Sequence, residues 1–172
     1  MNTSYEVQKS RNGLGVFATK IISSGEIVME YHGQLFTREQ LPYPYNAEED
    51  HYIQIGPNVY MGPSGKADDF VNHSCDPNSG LIFENNRIQL KAIRTLQAGE
   101  EINYDYSTTM DEAGIQDFGD WEMDCNCGGA TCRGAITDFS FLPDSVKEKY
   151  IELAIMPEYI VNQLSITPAT ID

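Results

Sequence analysis

A chain of 172 residues carrying a formal net charge of −15 with a pI near 4.4 is sized for one core and a tail, which excludes two large domains. Its acidity argues against direct nucleic-acid binding, which draws on clustered Lys and Arg, and leaves a basic protein partner or simple solubility as the readings of that charge. Met1–Ser10 is polar, and nowhere do about 18 apolar residues run together, so the expectation is a soluble intracellular protein without a membrane segment, nuclear or cytoplasmic.

In chain order, Tyr5 to Tyr31 alternates short apolar runs with turn residues (Asn12-Gly13-Leu14-Gly15, Ser23-Ser24-Gly25), the punctuation of strands rather than helices. Thr37-Arg38-Glu39-Gln40 has the form of a capping box, and Pro42 and Pro44 keep any helix there short. Strands are expected at Tyr52–Ile55 and Val59–Met61, and a hairpin joins Leu81–Phe83 to Ile88–Ala92 across Glu84-Asn85-Asn86-Arg87. Another strand follows at Ile102–Tyr104. So many short strands with little helix imply small interlocking sheets rather than a βαβ fold. Ser107 to Asp120 reads as a flexible connection. Beyond it the period becomes helical: one helix capped by Asp144 or Ser145, with Val146, Tyr150, Ile151, Leu153 and Ala154 on one side, and a second from Glu158 to Leu164.

Three stretches carry chemistry. Asn72-His73-Ser74-Cys75-Asp76-Pro77-Asn78 packs amides, an imidazole, a hydroxyl and a thiol into a loop held by its own side chains. Gly99-Glu100-Glu101-Ile102-Asn103-Tyr104-Asp105-Tyr106 follows. Cys125, Cys127 and Cys132 with Cys75 make four thiols, the ligand number of a closed tetrahedral zinc site. Two disulfides are the alternative, but crowding of three thiols in a chain without export features suits a metal better.

Together with Gly13-Leu14-Gly15 and Glu30-Tyr31-His32-Gly33, these stretches resemble, in order, the motifs of SET-domain protein lysine methyltransferases. The run Cys125-Asn126-Cys127-Gly128-Gly129-Ala130-Thr131-Cys132-Arg133-Gly134 resembles the post-SET motif. The resemblance implies a mainly β fold with short helices: a SET-domain β-clip or pseudoknot of small curved sheets, a zinc-bound post-SET segment and C-terminal helices. The expected divisions are a SET domain over 4–107, a linker over 108–120, the zinc segment over 121–137 and a helical extension over 138–172.

It also implies S-adenosylmethionine as methyl donor, with Asn12, Gly13, Leu14 and Gly15 giving it backbone contacts, Tyr31 lining its pocket, and Asn72 and His73 holding its polar groups. An ordinary core imidazole is the alternative for His73. Tyr106 matches the catalytic tyrosine, and Tyr104 the position tied to how many methyl groups fit, its hydroxyl favouring mono- or dimethylation. Tyr60 and Trp121 join Tyr104 as candidates for the substrate channel, with plain hydrophobic packing the alternative for Trp121. One structural zinc is implied on Cys75, Cys125, Cys127 and Cys132. Asp69 departs from the arginine usual in the family, and no cofactor contact is carried onto it. The implied substrate is a basic protein such as a histone, and the C-terminal helices are a candidate dimer contact. The rival is a catalytically silent SET-like module that binds basic peptides.

Overall fold

The computed structural model describes residues 4–42, 51–84, 87–111 and 122–164. Strands are short throughout. In chain order they are β1 (Tyr5–Ser10), β2 (Gly13–Ala18), β3 (Ile27–Tyr31), β4 (Leu35–Phe36), β5 (Ile53–Gly56), β6 (Val59–Met61), β7 (Asn72–His73), β8 (Ser79–Glu84), β9 (Arg87–Ala92), β10 (Glu101–Tyr104), β11 (Glu122–Asp124) and β12 (Ala135–Thr137). Two helices follow, α1 (Asp144–Glu152) and α2 (Glu158–Leu164). Four small sheets result, ordered β1-β2-β10-β7, β3-β9-β8, β4-β6-β5 and β11-β12.

The β1–β2 hairpin pairs Ser10 with Gly13, and so tight a turn needs the positive φ of +90° that Gly13 supplies without strain. The expected capping box closes a single 3-10 turn over Arg38–Gln40, where the Gln40 side chain accepts from the Thr37 N–H at 2.8 Å. Val16, Ile22, Leu81, Leu90, Leu96 and Ile102 are fully buried where the sheets face each other. Each such side chain contributes about 1.5–3 kcal/mol on leaving water.

β8 departs from the alternation of a half-buried strand. Ser79, Gly80, Leu81 and Ile82 are all buried, because β8 is covered on both faces. Leu81 points into the main core, and Ile82 joins Phe139, Leu142, Tyr150, Ile155 and Ile160 in a second cluster built by the C-terminal extension. Any Cβ at position 80 would meet Ile155, so the extension lies directly on the strand. The helices therefore close the chain's own core. Of the side expected to be apolar on α1, Tyr150 is buried but Ile151 is 42% exposed. The helix stops at Glu152 and Ala154 turns at φ +50°, so Ile155 and Met156 take over the packing. Among the described residues of the extension, the large apolar side chains left outward for a second copy are Ile151 and Phe141.

The connection expected to be flexible from Ser107 begins otherwise: Ser107, Thr108 and Thr109 are buried, in and just after a 3-10 turn. Among the described residues no helix is long and apolar enough to cross a membrane.

Ile155→Ala should destabilise the protein by about 2–5 kcal/mol through the cavity it leaves over Gly80, read as a lower urea midpoint with an unchanged slope.

Candidate active site

The site is built where β7 and β10 lie parallel, Asn72 beside Asn103 and His73 beside Tyr104. Two residues of strand hold little alone, and side-chain amides supply the rest. Asn78 and Asn103 exchange bonds, each backbone N–H donating to the other's Oδ1, at 3.1 and 3.0 Å. Asn78 Nδ2 donates to the Glu101 carbonyl at 2.7 Å, and Asp76 N–H donates to Ser74 Oγ at 3.1 Å. Asn72 Nδ2 donates to Leu14 O at 2.9 Å and to Glu101 Oε1 at 2.7 Å. Ser10 donates to the same carboxylate oxygen at 2.7 Å. The Asn12–Leu14 turn is thereby fixed against β7 and β10. Gly15 serves this bridge: a Cβ there would collide with Glu101 Oε1, Ser10 and Asn72. It does not line the cleft, whereas Asn12, Gly13, Leu14, Asn72 and His73 do.

The cleft has a volume of about 980 Å3. Three tyrosines meet in it: the rings of Tyr104 and Tyr106 are 5.0 Å apart and tilted by 47°, and Tyr31 stands edge-on to Tyr104 at 6.4 Å. Tyr106 donates its hydroxyl to Val71 O at 2.9 Å, which fixes the ring across the β7 entrance. The Tyr31 hydroxyl is buried and has no hydrogen-bond partner among the described residues. Burial first, and then the neighbouring Tyr104, Tyr106, Asp68 and Asp69, raise its pKa well above the ordinary phenol value.

Among the described residues, four carboxylates (Asp68, Asp69, Glu122 and Asp124) line the cleft, and no Lys or Arg does. Asp68 accepts from the His32 N–H at 3.0 Å and from Ser64 Oγ at 2.7 Å. Asp69, the departure from the expected arginine, accepts from the Ser64 and Gly65 N–H groups at 2.9 and 2.7 Å and so closes that turn. Tyr60 does not join the tyrosine corner. Its hydroxyl accepts from Arg38 at 2.7 Å on the other side of β6, and period-two alternation puts Met61, not Tyr60, on the cleft. Trp121 lies outside the described residues.

The four thiols converge. Cys75 Sγ and Cys132 Sγ each lie 3.6 Å from Cys125 Sγ, close to the edge of about 3.8 Å in a tetrahedron with metal–sulfur bonds of about 2.3 Å. Cys127 belongs to the same cluster, in which the ligand atoms of His73, Cys75, Cys125 and Cys127 all lie within 4.8 Å of one another. His73 Nδ1 accepts from the Tyr106 N–H at 3.2 Å, which leaves Nε2, 3.3 Å from Cys75 Sγ, to carry the proton and donate to sulfur. Burial holds the His73 pKa down to about 4, with Asp105 opposing and Arg133 adding to the fall. A neutral imidazole that already spends both nitrogens is an outer partner of the thiol cluster, and the four-sulfur set fits zinc best. Burial raises the Cys125 thiol. At Cys127 burial acts the same way but is outweighed by N–H groups and neighbouring thiols, so that its pKa falls to about 7.

A family model described as the SET domain matches residues 13–107. The chain belongs to the SET-domain family. It is 30% identical to ASHH4 of Arabidopsis thaliana over 163 residues, 88% of this chain and 43% of that protein. It is 34% identical over 134 residues, 71% of this chain and 9% of the other, to the H3 lysine-4 specific histone-lysine N-methyltransferase of Cryptococcus neoformans var. neoformans serotype D (strain B-3501A). The chain thus spans less than half the length of these relatives. Among solved structures, KRYPTONITE in complex with mCHH DNA, H3(1–15) peptide and SAH superposes with a TM-score of 0.62 at 23% identity, over 79% of this chain and 30% of that one. At that identity the likeness is one of fold.

Sequence reasoning passed over the residue that binds this SET domain to its flanks. Asp105 is 1% exposed and pairs with Arg133 through two contacts, Nη1 to Oδ2 at 2.7 Å and Nη2 to Oδ1 at 2.8 Å. It also accepts from the Tyr150 hydroxyl at 2.8 Å and from the Ser107 N–H at 3.1 Å. Burial opposes the charge on Arg133, yet Asp105 more than offsets it and holds that pKa above its ordinary value. The Tyr150 phenol is raised by burial and then by Asp105. Arg133 also donates its backbone N–H to Cys75 Sγ at 3.4 Å. The one available signal was composition: an aspartate between two tyrosines and an arginine beside a cysteine, with nothing local to pair them.

Arg133→Met should cost about 3–5 kcal/mol by leaving the Asp105 carboxylate buried without its cation, and adding Asp105→Asn should recover part of that loss in denaturant titrations.

Proposed function

We propose that this SET domain is a protein-lysine N-methyltransferase that transfers a methyl group from S-adenosylmethionine to the side-chain amine of a lysine in a basic protein. The observation that carries this reading is the tyrosine corner of Tyr31, Tyr104 and Tyr106 opening on the same cleft as the Asn12–Leu14 turn that Asn72 fixes. Names among the relatives point the same way: the Cryptococcus neoformans protein is a histone-lysine N-methyltransferase, and KRYPTONITE was solved with SAH and an H3 peptide. The buried, unpartnered Tyr31 hydroxyl supports a polar ligand in the cleft, since such a group is costly when left unsatisfied.

When bound, S-adenosylmethionine supplies an electrophilic methyl group on a positively charged sulfonium. The backbone at Asn12, Gly13 and Leu14, with Asn72 and His73, would hold it. This chain's own task is the amine. A free lysine has a pKa near 10.4, so presenting it neutral at pH 7 costs roughly 4–5 kcal/mol. A corner of three rings, one of them almost completely desolvated, disfavours the ammonium. Asp68 and Asp69 pull the other way, but each is engaged by loop donors. Tyr106, anchored on Val71 O, would orient the neutral amine, and alignment rather than proton removal by Tyr106 supplies the rate. The hydroxyl of Tyr104, 5% exposed in this corner, would take up room needed by further methyl groups, giving mono- or dimethylation.

The thiol cluster would hold one structural zinc on Cys75, Cys125, Cys127 and Cys132. Such a site contributes on the order of 10 kcal/mol to ordering its segment, here the one carrying β11, β12 and Arg133. The carboxylate lining of the cleft supports a substrate with Lys or Arg around the target, such as a histone tail.

Labelled methyl transfer to a panel of basic proteins should give incorporation on lysine that falls at least a hundredfold in Tyr106→Phe. Tyr104→Phe should move the product toward trimethyl-lysine by mass spectrometry. No incorporation from a folded, zinc-loaded protein that also fails to bind S-adenosylmethionine would replace this reading with a silent peptide-binding module. Metal analysis should find one zinc per chain, lost in Cys132→Ser and kept in His73→Asn. Retention of zinc in the serine variant would shift the fourth ligand to His73.

A further inference from the structure

The cleft wall formed by residues 105–111 is gripped repeatedly from one side. Tyr106, Thr109 and Met110 of this stretch line the cleft. Asp105 accepts from the hydroxyl of Tyr150 on α1. Met110 O accepts from the Phe139 N–H at 3.0 Å. Thr109 O accepts from the hydroxyl of Tyr159 on α2 at 2.7 Å, and the same hydroxyl lies 3.2 Å from Gln54 O. Gln54, 1% exposed, reaches back: its Oε1 accepts from the Asp111 N–H at 2.8 Å, and its Nε2 lies 3.4 Å from Asp111 O. Within the stretch Thr108 bonds back to Asp105 and Thr109 to Tyr106, and its first residues are also held by Arg133 at Asp105 and by Val71 and His73 at Tyr106.

We infer that the C-terminal helices are a clamp on the cleft wall, with Tyr150 and Tyr159 as positioning residues that set how the substrate chain is received without lining the cleft themselves. The two phenols act at different points. Tyr150 holds the end of the wall that carries Tyr106, and Tyr159 ties the end carrying Thr109 and Met110 to β5, whose Ile53 also lines the cleft. The cofactor platform at Asn12–Leu14 and Asn72 is fixed by separate bonds to Glu101. Loss of the Tyr159 hydroxyl should therefore be felt by the peptide and not by the methyl donor. The inference rests on the methyltransferase reading for its kinetic consequence and on geometry alone for the clamp.

The test is Tyr159→Phe in the full chain, which removes one oxygen and keeps the ring. Amide exchange at Thr109 and Asp111 should accelerate about tenfold, the scale of one lost buried hydrogen bond, while Asn103 and His73 are unchanged. The peptide KM should rise about tenfold, with the KM for S-adenosylmethionine and the zinc content unaltered. Tyr150→Phe should instead lower kcat. Unchanged exchange overturns the clamp. Faster exchange with an unaltered peptide KM overturns the positioning role, as does an equal loss in both KM values, the mark of general loosening. A wild-type protein inactive on every basic substrate counts against the methyltransferase reading alone, and the exchange result then decides the clamp.

Discussion

A carboxylate with almost no contact with water governs the arrangement of this molecule. Burying a charge costs several kcal/mol unless partners are supplied, and the strongest of those of Asp105 come from far along the chain. Arg133 belongs to the cysteine-rich segment, Tyr150 to the first helix, and Ser107 to the turn that follows. Each has to be in place for the others to be worth having. The tyrosines on either side of Asp105 are thereby fixed in a strand end that its own two-residue pairing would leave loose. The zinc-type cluster enters the same account through Arg133, which touches Asp105 with its guanidinium and Cys75 with its backbone N–H.

Around this node the two sides of the cleft use different physics. On the platform side, amides and a carboxylate hold backbone to backbone with short, directional bonds, and glycine at position 15 makes room for them. Such a surface is rigid and shows main-chain groups to a ligand. On the other side, rings packed against one another, one pair edge-on and one tilted, exclude water and lower the local dielectric. The cleft thus offers two kinds of surface, one of main-chain polar groups and one of desolvated rings.

Much of this was legible in the sequence. Four thiols with the right company announced a single cluster, the hairpin at 84–87 registers Glu84 with Arg87, and the second helix runs from Glu158 to Leu164 as its pattern suggests. What could not be read depends on which face a residue takes and on partners far along the chain. Tyr60 was a channel candidate through the family resemblance, yet the pleat turns it toward Arg38. Thr108 and Thr109 looked like linker because they are polar, yet their hydroxyls bond within their own turn and let them be buried. Gly80 gave no sign that another part of the chain would lie across it. Asp105 was quoted within a motif and given no role, since nothing nearby in sequence reveals that a cation and a phenol will reach it.

The pairing of β7 with β10 has a consequence for how the protein is made. These strands pair in parallel over only two residues and are separated by the whole β8–β9 hairpin, so their contact rewards the chain only after a long loop has been closed. Its outside supports arrive later still, with Arg133 and Tyr150. A chain leaving the ribosome therefore completes its β1–β2 and β8–β9 hairpins before Arg133 and Tyr150, the outside supports of the β7–β10 pairing, have been synthesised.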